Sequence, residues 1–94
     1  MPRKTSDVEK SLIKKGFRSK RGDHHYLMYF TLTGKKSAVF TKTSHGSREL
    51  GDSLLGRMAK QVCLSRAEFD QLIECPLDQA SYERKLQRSG ALAA

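Results

Sequence analysis

Two adjacent histidines open a strand-like run in the stretch Arg18-Ser19-Lys20-Arg21-Gly22-Asp23-His24-His25-Tyr26. Imidazole gives and takes protons near neutral pH, so on a cationic surface it is suited to proton transfer on a bound polyanion. An RNA strand can be cut without a metal when the adjacent 2′-hydroxyl attacks phosphorus. The catalyst must then accept that proton, protonate the leaving 5′-oxygen and offset the charge of the phosphorane. Histidine serves the proton steps and Lys or Arg the last. Lys20, Arg21, Lys35 and Lys36 are the candidate phosphate contacts, because such cations hold phosphates without reading sequence. His45, at the far end of the following strand, is an auxiliary candidate if the hairpin register brings it close.

Strand alternation divides the histidine pair. Neighbouring side chains in a strand point to opposite faces. His24, Tyr26, Met28 and Phe30 share one face, and His25, Leu27, Tyr29 and Thr31 the other. The first set is the more continuously apolar and is assigned to the core, which leaves His25 on the open face as the proton-transfer residue. A metal site on His24 and His25 is not expected, since the two diverge. Cys63 and Cys75 show no zinc spacing. Gly46, Gly51 and Gly56 form no phosphate-cradling fingerprint. Neither a metal nor a cofactor is therefore expected.

Charge points to the same class of partner. The 94 residues carry a net charge of +8. Residues 1–48 hold twelve Lys and Arg against three Asp and Glu, whereas residues 49–94 hold six against seven. So cationic an N-terminal half suggests nucleic acid. The length suits one small domain. No signal peptide or long apolar run is visible, so a cytoplasmic chain without a membrane partner is expected.

The elements that position these residues follow from local signals. Ser6 and Glu9 read as a capping box opening a helix over about 7–15, with Val8, Leu12 and Ile13 as its apolar stripe and Gly16 as its stop. A short strand over 17–20, a turn at 21–23 and a strand over 24–31 come next. Gly34 marks a hairpin loop, and the return strand covers 37–43. A polar loop over 44–51 precedes a helix over 52–64 that holds Cys63 as a core thiol. Ser65 and Glu68 form a second capping box for a short helix to Ile73. A further helix over 78–88 rests on Leu77, Tyr82 and Leu86, and residues 90–94 form a frayed tail. This order makes an α+β domain with helices on one face of an antiparallel sheet.

Taken together these residues resemble the HicA toxins of HicA–HicB toxin–antitoxin systems, which are small mRNA interferases. The pattern is Lys15-Gly16-Phe17 at the end of the first helix and then Gly22-Asp23-His24-His25. An alternating strand, a hairpin and His45 follow. The last part is Gly51-Asp52-Ser53-Leu54 running to Lys60-Gln61-Val62-Cys63-Leu64-Ser65-Arg66-Ala67-Glu68-Phe69. The likeness covers about residues 6–75 of a single domain spanning 1–94, with residues 76–94 as a C-terminal extension.

The resemblance implies a fold similar to the double-stranded-RNA-binding domain, α-β-β-β-α, here with an extra C-terminal helical extension. It implies a metal-independent endoribonuclease acting on mRNA through His25, neutralised by a HicB-like antitoxin. Two positions depart from the family pattern. Asp23 replaces the usual Ser or Thr and sets an auxiliary carboxylate beside the imidazole. Cys63 stands where the family usually has glycine. A non-catalytic RNA- or DNA-binding module on the same fold is the alternative function. If His25 moves protons, the cleavage rate should change across about pH 5.5–8.

Overall fold

Val8 and Leu12 recur one helical turn apart, and the first helix turns both fully inward. The computed structural model describes residues 3–21, 25–43, 48–74 and 76–92, with Arg21 described by its backbone alone. The elements in chain order are β1 (Arg3–Lys4), α1 (Thr5–Lys14), β2 (Phe17–Arg21), β3 (His25–Phe30), β4 (Lys36–Thr43), β5 (Glu49–Leu50), α2 (Asp52–Gln61), α3 (Arg66–Glu74) and α4 (Gln79–Ser89). β2, β3 and β4 form an antiparallel sheet in that order. The molecule is thus α+β, as expected.

β1 and β5 were not anticipated. They pair antiparallel, Arg3 with Leu50 and Lys4 with Glu49, where the sequence suggested a loose start and a polar loop. Two-residue strands carry no periodicity to read. Their pairing fixes the entry to α1, whose first amide, Thr5 N, donates to Arg48 O at 3.0 Å.

The faces of the sheet are the reverse of the expectation. Leu27 and Tyr29 are fully buried, while Tyr26, Met28 and Phe30 are only partly covered and Phe40 is 47% exposed. His25 therefore lies on the helix-packed face and not on the open one. The reason lies in partners that one strand's pattern cannot show. Tyr29 stacks edge-on against Phe17 from β2 and Tyr82 from α4, with ring centroids 5.3 and 5.1 Å away. Its hydroxyl donates to Glu83 Oε1 at 2.7 Å, which satisfies the polar tip of a buried ring. Burial, followed by the Glu83 carboxylate, pushes the Tyr29 phenol above its ordinary pKa.

The helices of the described residues lie on that side, α1, α2 and α4 against the strands and α3 against α1 and α2. Val8, Leu12, Leu55, Met58, Phe69, Leu72, Tyr82 and Leu86 join Phe17, Leu27, Tyr29 and Val39 in one core. The segment expected as an appended extension is therefore part of the core through α4. Tyr82 Oη also donates to Val62 O at 2.9 Å, tying α4 to the end of α2. Ala91 and Leu92, expected to fray, pack against the same core.

The step Lys15-Gly16-Phe17 has a structural account at each position. Lys15 is buried, and its ammonium donates to Leu72 O at 2.9 Å and to Leu77 O, holding the α3–α4 connection against α1. Gly16 has φ +100°, and a Cβ there would run into the Gln79 side chain and reach Tyr29 Cε1 at 3.0 Å. Only glycine meets both demands. Phe17 begins β2 inside the core. Cys63 corrects another expectation. α2 ends at Gln61, and Cys63 is exposed with φ 66°, the left-handed turn that commonly follows a helix and favours glycine.

Candidate functional site

Glu9 lies four residues after Thr5 and three before Leu12, on the side of α1 that buries both. A carboxylate in that position loses water and needs donors in exchange. It receives two. His25 Nδ1 lies 2.7 Å from Glu9 Oε2, and Thr43 Oγ1 donates to the same oxygen at 2.9 Å. His25 and Thr43 are direct partners across β3 and β4, so register alone puts both under the helix, at the end of the sheet away from the hairpin. The His25 and Glu9 side chains are each 17% exposed, and Thr43 is buried.

This arrangement sets the chemistry of the imidazole. A carboxylate on Nδ1 fixes the ring's orientation and favours the form that carries a proton on that nitrogen. Glu9 also lines a cavity of about 510 Å³, together with Lys4, Thr5, Ser6, Arg48 and Glu49. Thr5 Oγ1 is buried there and has no hydrogen-bond partner among the described residues. Lys4 and Arg48 supply two cations to this space. The imidazole and the cavity thus share one carboxylate.

Among the expected phosphate contacts, the structure does not bring Lys20, Lys35 or Lys36 to His25. Lys20 lies in β2 opposite Tyr26, on the open face, so the sheet separates its side chain from His25. Lys36 pairs with Phe30, five residues along β3 from His25 and therefore about 17 Å away. Lys35 is exposed in the adjoining hairpin loop. Arg21 is the backbone partner of His25. Asp23, His24 and His45 lie outside the described residues. Among the described residues no group of three His, Cys, Asp or Glu side chains is placed to hold a metal ion, and no helix is long and apolar enough to cross a membrane.

Glu9 and Thr43 are the site residues that sequence reasoning missed. Glu9 was taken up by the capping-box signature. Its place inside the apolar stripe, between Thr5 and Leu12, was the signal that it serves something else. Comparison with protein-family models, with curated proteins and with solved structures gives no match.

Proposed function

We propose that this chain is a HicA-like, metal-independent endoribonuclease toxin that cleaves mRNA and is neutralised by a HicB-like antitoxin. The observation that carries this reading is the imidazole of His25 held through Nδ1 by Glu9 at the end of a strongly basic sheet. The element order α1, β2, β3, β4, α2 supports the expected likeness to the double-stranded-RNA-binding domain.

In this mechanism Nε2 of His25 accepts the proton of a 2′-hydroxyl as its oxygen attacks phosphorus. The bond from phosphorus to the 5′-oxygen breaks, and that oxygen leaves with a proton returned from the imidazolium or taken from water. The products are a 2′,3′-cyclic phosphate and a 5′-hydroxyl. Glu9 offsets the charge that develops on the ring. Lys4 and Arg48, which line the cavity with Glu9, are the cations assigned to the phosphorane. Lys20, Lys35 and Lys36 hold RNA at a distance from the scissile bond.

Expression of wild type and His25→Ala from a tight inducible promoter tests the reading. Wild type should arrest growth and degrade mRNA. With EDTA present, the purified protein should leave 5′-hydroxyl ends. His25→Ala should lose about 10²–10⁴ of the rate. Equal degradation by both proteins would overturn the catalytic assignment.

One observation favours a second reading. The His25 side chain is largely covered and sits on the helix-packed face, as an imidazole with a purely structural role would. A protein that retards RNA in a gel and leaves it intact would establish the non-catalytic binding module in place of the nuclease.

A further inference from the structure

The face of the sheet that none of the described helices covers has an unusual make-up. Alternation and register place Arg18 and Lys20 of β2, Tyr26, Met28 and Phe30 of β3, and Lys36, Ala38, Phe40 and Lys42 of β4 on it. Its centre is aromatic and its margins are cationic. Tyr26 and Phe40 lie with ring centroids 6.2 Å apart. The Arg18 guanidinium stands 4.1 Å over the Phe30 ring, within the range of a cation–π contact. A shallow cavity of about 520 Å³ opens between Tyr26, Met28, Phe40, Lys20 and Lys36. β2, β3 and β4 contain neither Asp nor Glu.

Lysines at the rim of a sheet discourage edge-to-edge pairing and need no further explanation. Aromatic rings left in the middle of the same face do need one, because exposed apolar surface of this kind marks a binding site. We propose that this open face binds single-stranded RNA, with bases stacked on Tyr26 and Phe40 and the backbone held by Lys20, Lys36 and Lys42. Base faces stack on aromatic side chains only when they are unpaired, and flanking cations track the phosphates. A duplex offers only its phosphates to this surface. An acidic protein would answer the cations and leave the flat rings without matched partners.

This surface lies across the sheet from His25 and includes Lys20 and Lys36, the remote RNA contacts of the nuclease reading, but the proposal stands whether or not His25 cuts RNA. The probe is a 12-nucleotide oligouridylate carrying 2′-O-methyl groups, which cannot cleave by 2′-attack, compared with a 12-base-pair RNA duplex at low salt. Wild type should bind the single strand more tightly than the duplex. Phe40→Ala, at a side chain already half in solvent, should weaken single-strand binding by roughly tenfold or more, and Phe40→Trp should restore it. Lys42→Ala should lower the slope of log affinity against log salt by about 0.7. Arg57→Ala, which removes an exposed cation of α2 on the helix-packed side, should bind as wild type does. Unchanged affinity in Phe40→Ala, a preference for the duplex, or no binding of the single strand would each overturn the proposal. Loss of binding in Arg57→Ala with Phe40→Ala unaffected would move the RNA to the helix-packed side and overturn it equally.

Discussion

The chain contains two segments with the same local signature, Ser6-Asp7-Val8-Glu9 and Ser65-Arg66-Ala67-Glu68, and they end in opposite ways. At the second, the capping box closes. Glu68 N donates to Ser65 Oγ at 3.1 Å, and Ser65 N donates to Glu68 Oε1 at 3.0 Å, at the start of α3. At the first it does not. α1 begins two residues earlier than the box would have it, and its cap residue, Lys4, makes no side-chain capping bond. Glu9 instead holds His25 and Thr43. A cap contributes about 1 kcal/mol, so a tertiary arrangement can displace it readily. Here the β1–β5 pairing fixes the helix entry and releases the carboxylate for other work.

The contrast assigns Glu9 to positioning and Glu68 to stability, and the largest expected effect tests that division. Glu9→Ala should reduce RNA cleavage about 100-fold, the upper range for a partner that orients a working imidazole. It should also cost about 2 kcal/mol in denaturant unfolding, because the buried Thr43 hydroxyl and the His25 ring each lose an acceptor. Glu9→Gln retains an acceptor and should recover most of the stability and part of the rate. Glu68→Ala should leave cleavage unchanged. Equal losses of rate at the two positions would erase the distinction.

The serines sharpen the comparison at lower magnitude. Ser65→Ala should cost about 1 kcal/mol of stability. Ser6→Ala should stay within about 0.5 kcal/mol, the usual range for an exposed residue away from such a feature. Equal costs in urea unfolding would mean that the first box does close in solution. The turn before the second box offers a related test. Cys63 adopts φ 66° two residues ahead of Ser65, a conformation that disfavours side chains with a Cβ. Cys63→Gly should stabilise the protein by about 0.5–1 kcal/mol.

What could be read from the sequence was what local chemistry decides. Leu55, Met58 and Phe69 recur at helical spacing, and the helices bury them. Gly34, expected in a hairpin loop, has φ 85° between β3 and β4. The Ser65 box formed as its residues required. The orientation of β3 escaped because it depends on partners distant in sequence. Tyr29 looks no more buried than Tyr26 until Phe17, Tyr82 and Glu83 surround it. The site escaped for a similar reason. His25 was found from its neighbours in the chain, whereas Glu9 and Thr43 reach it only through packing of α1 on the sheet and the register of β4. Cys63 looked like a core thiol because the apolar pattern of α2 runs past the residue at which the helix stops.

The smallest effect separates the two glutamates by pH. The Lys85 ammonium, at 2.8 Å, and the Ser65 amide hold the Glu68 carboxyl down to about 2. A carboxyl depressed in the folded state binds its proton more readily when unfolded. Its contribution to stability is therefore complete above the unfolded value of about 4.5 and is lost as pH falls toward 2. The Glu68 side chain is 35% exposed, so solvent screening keeps that contribution small. Wild type and Glu68→Gln should accordingly differ slightly in unfolding free energy at pH 6 and converge as the pH approaches 2, with added salt narrowing the gap. A gap that holds constant down to pH 2 would show that the cap at α3 works through the shape of the side chain and not its charge, and the difference between the two boxes would then be one of geometry alone.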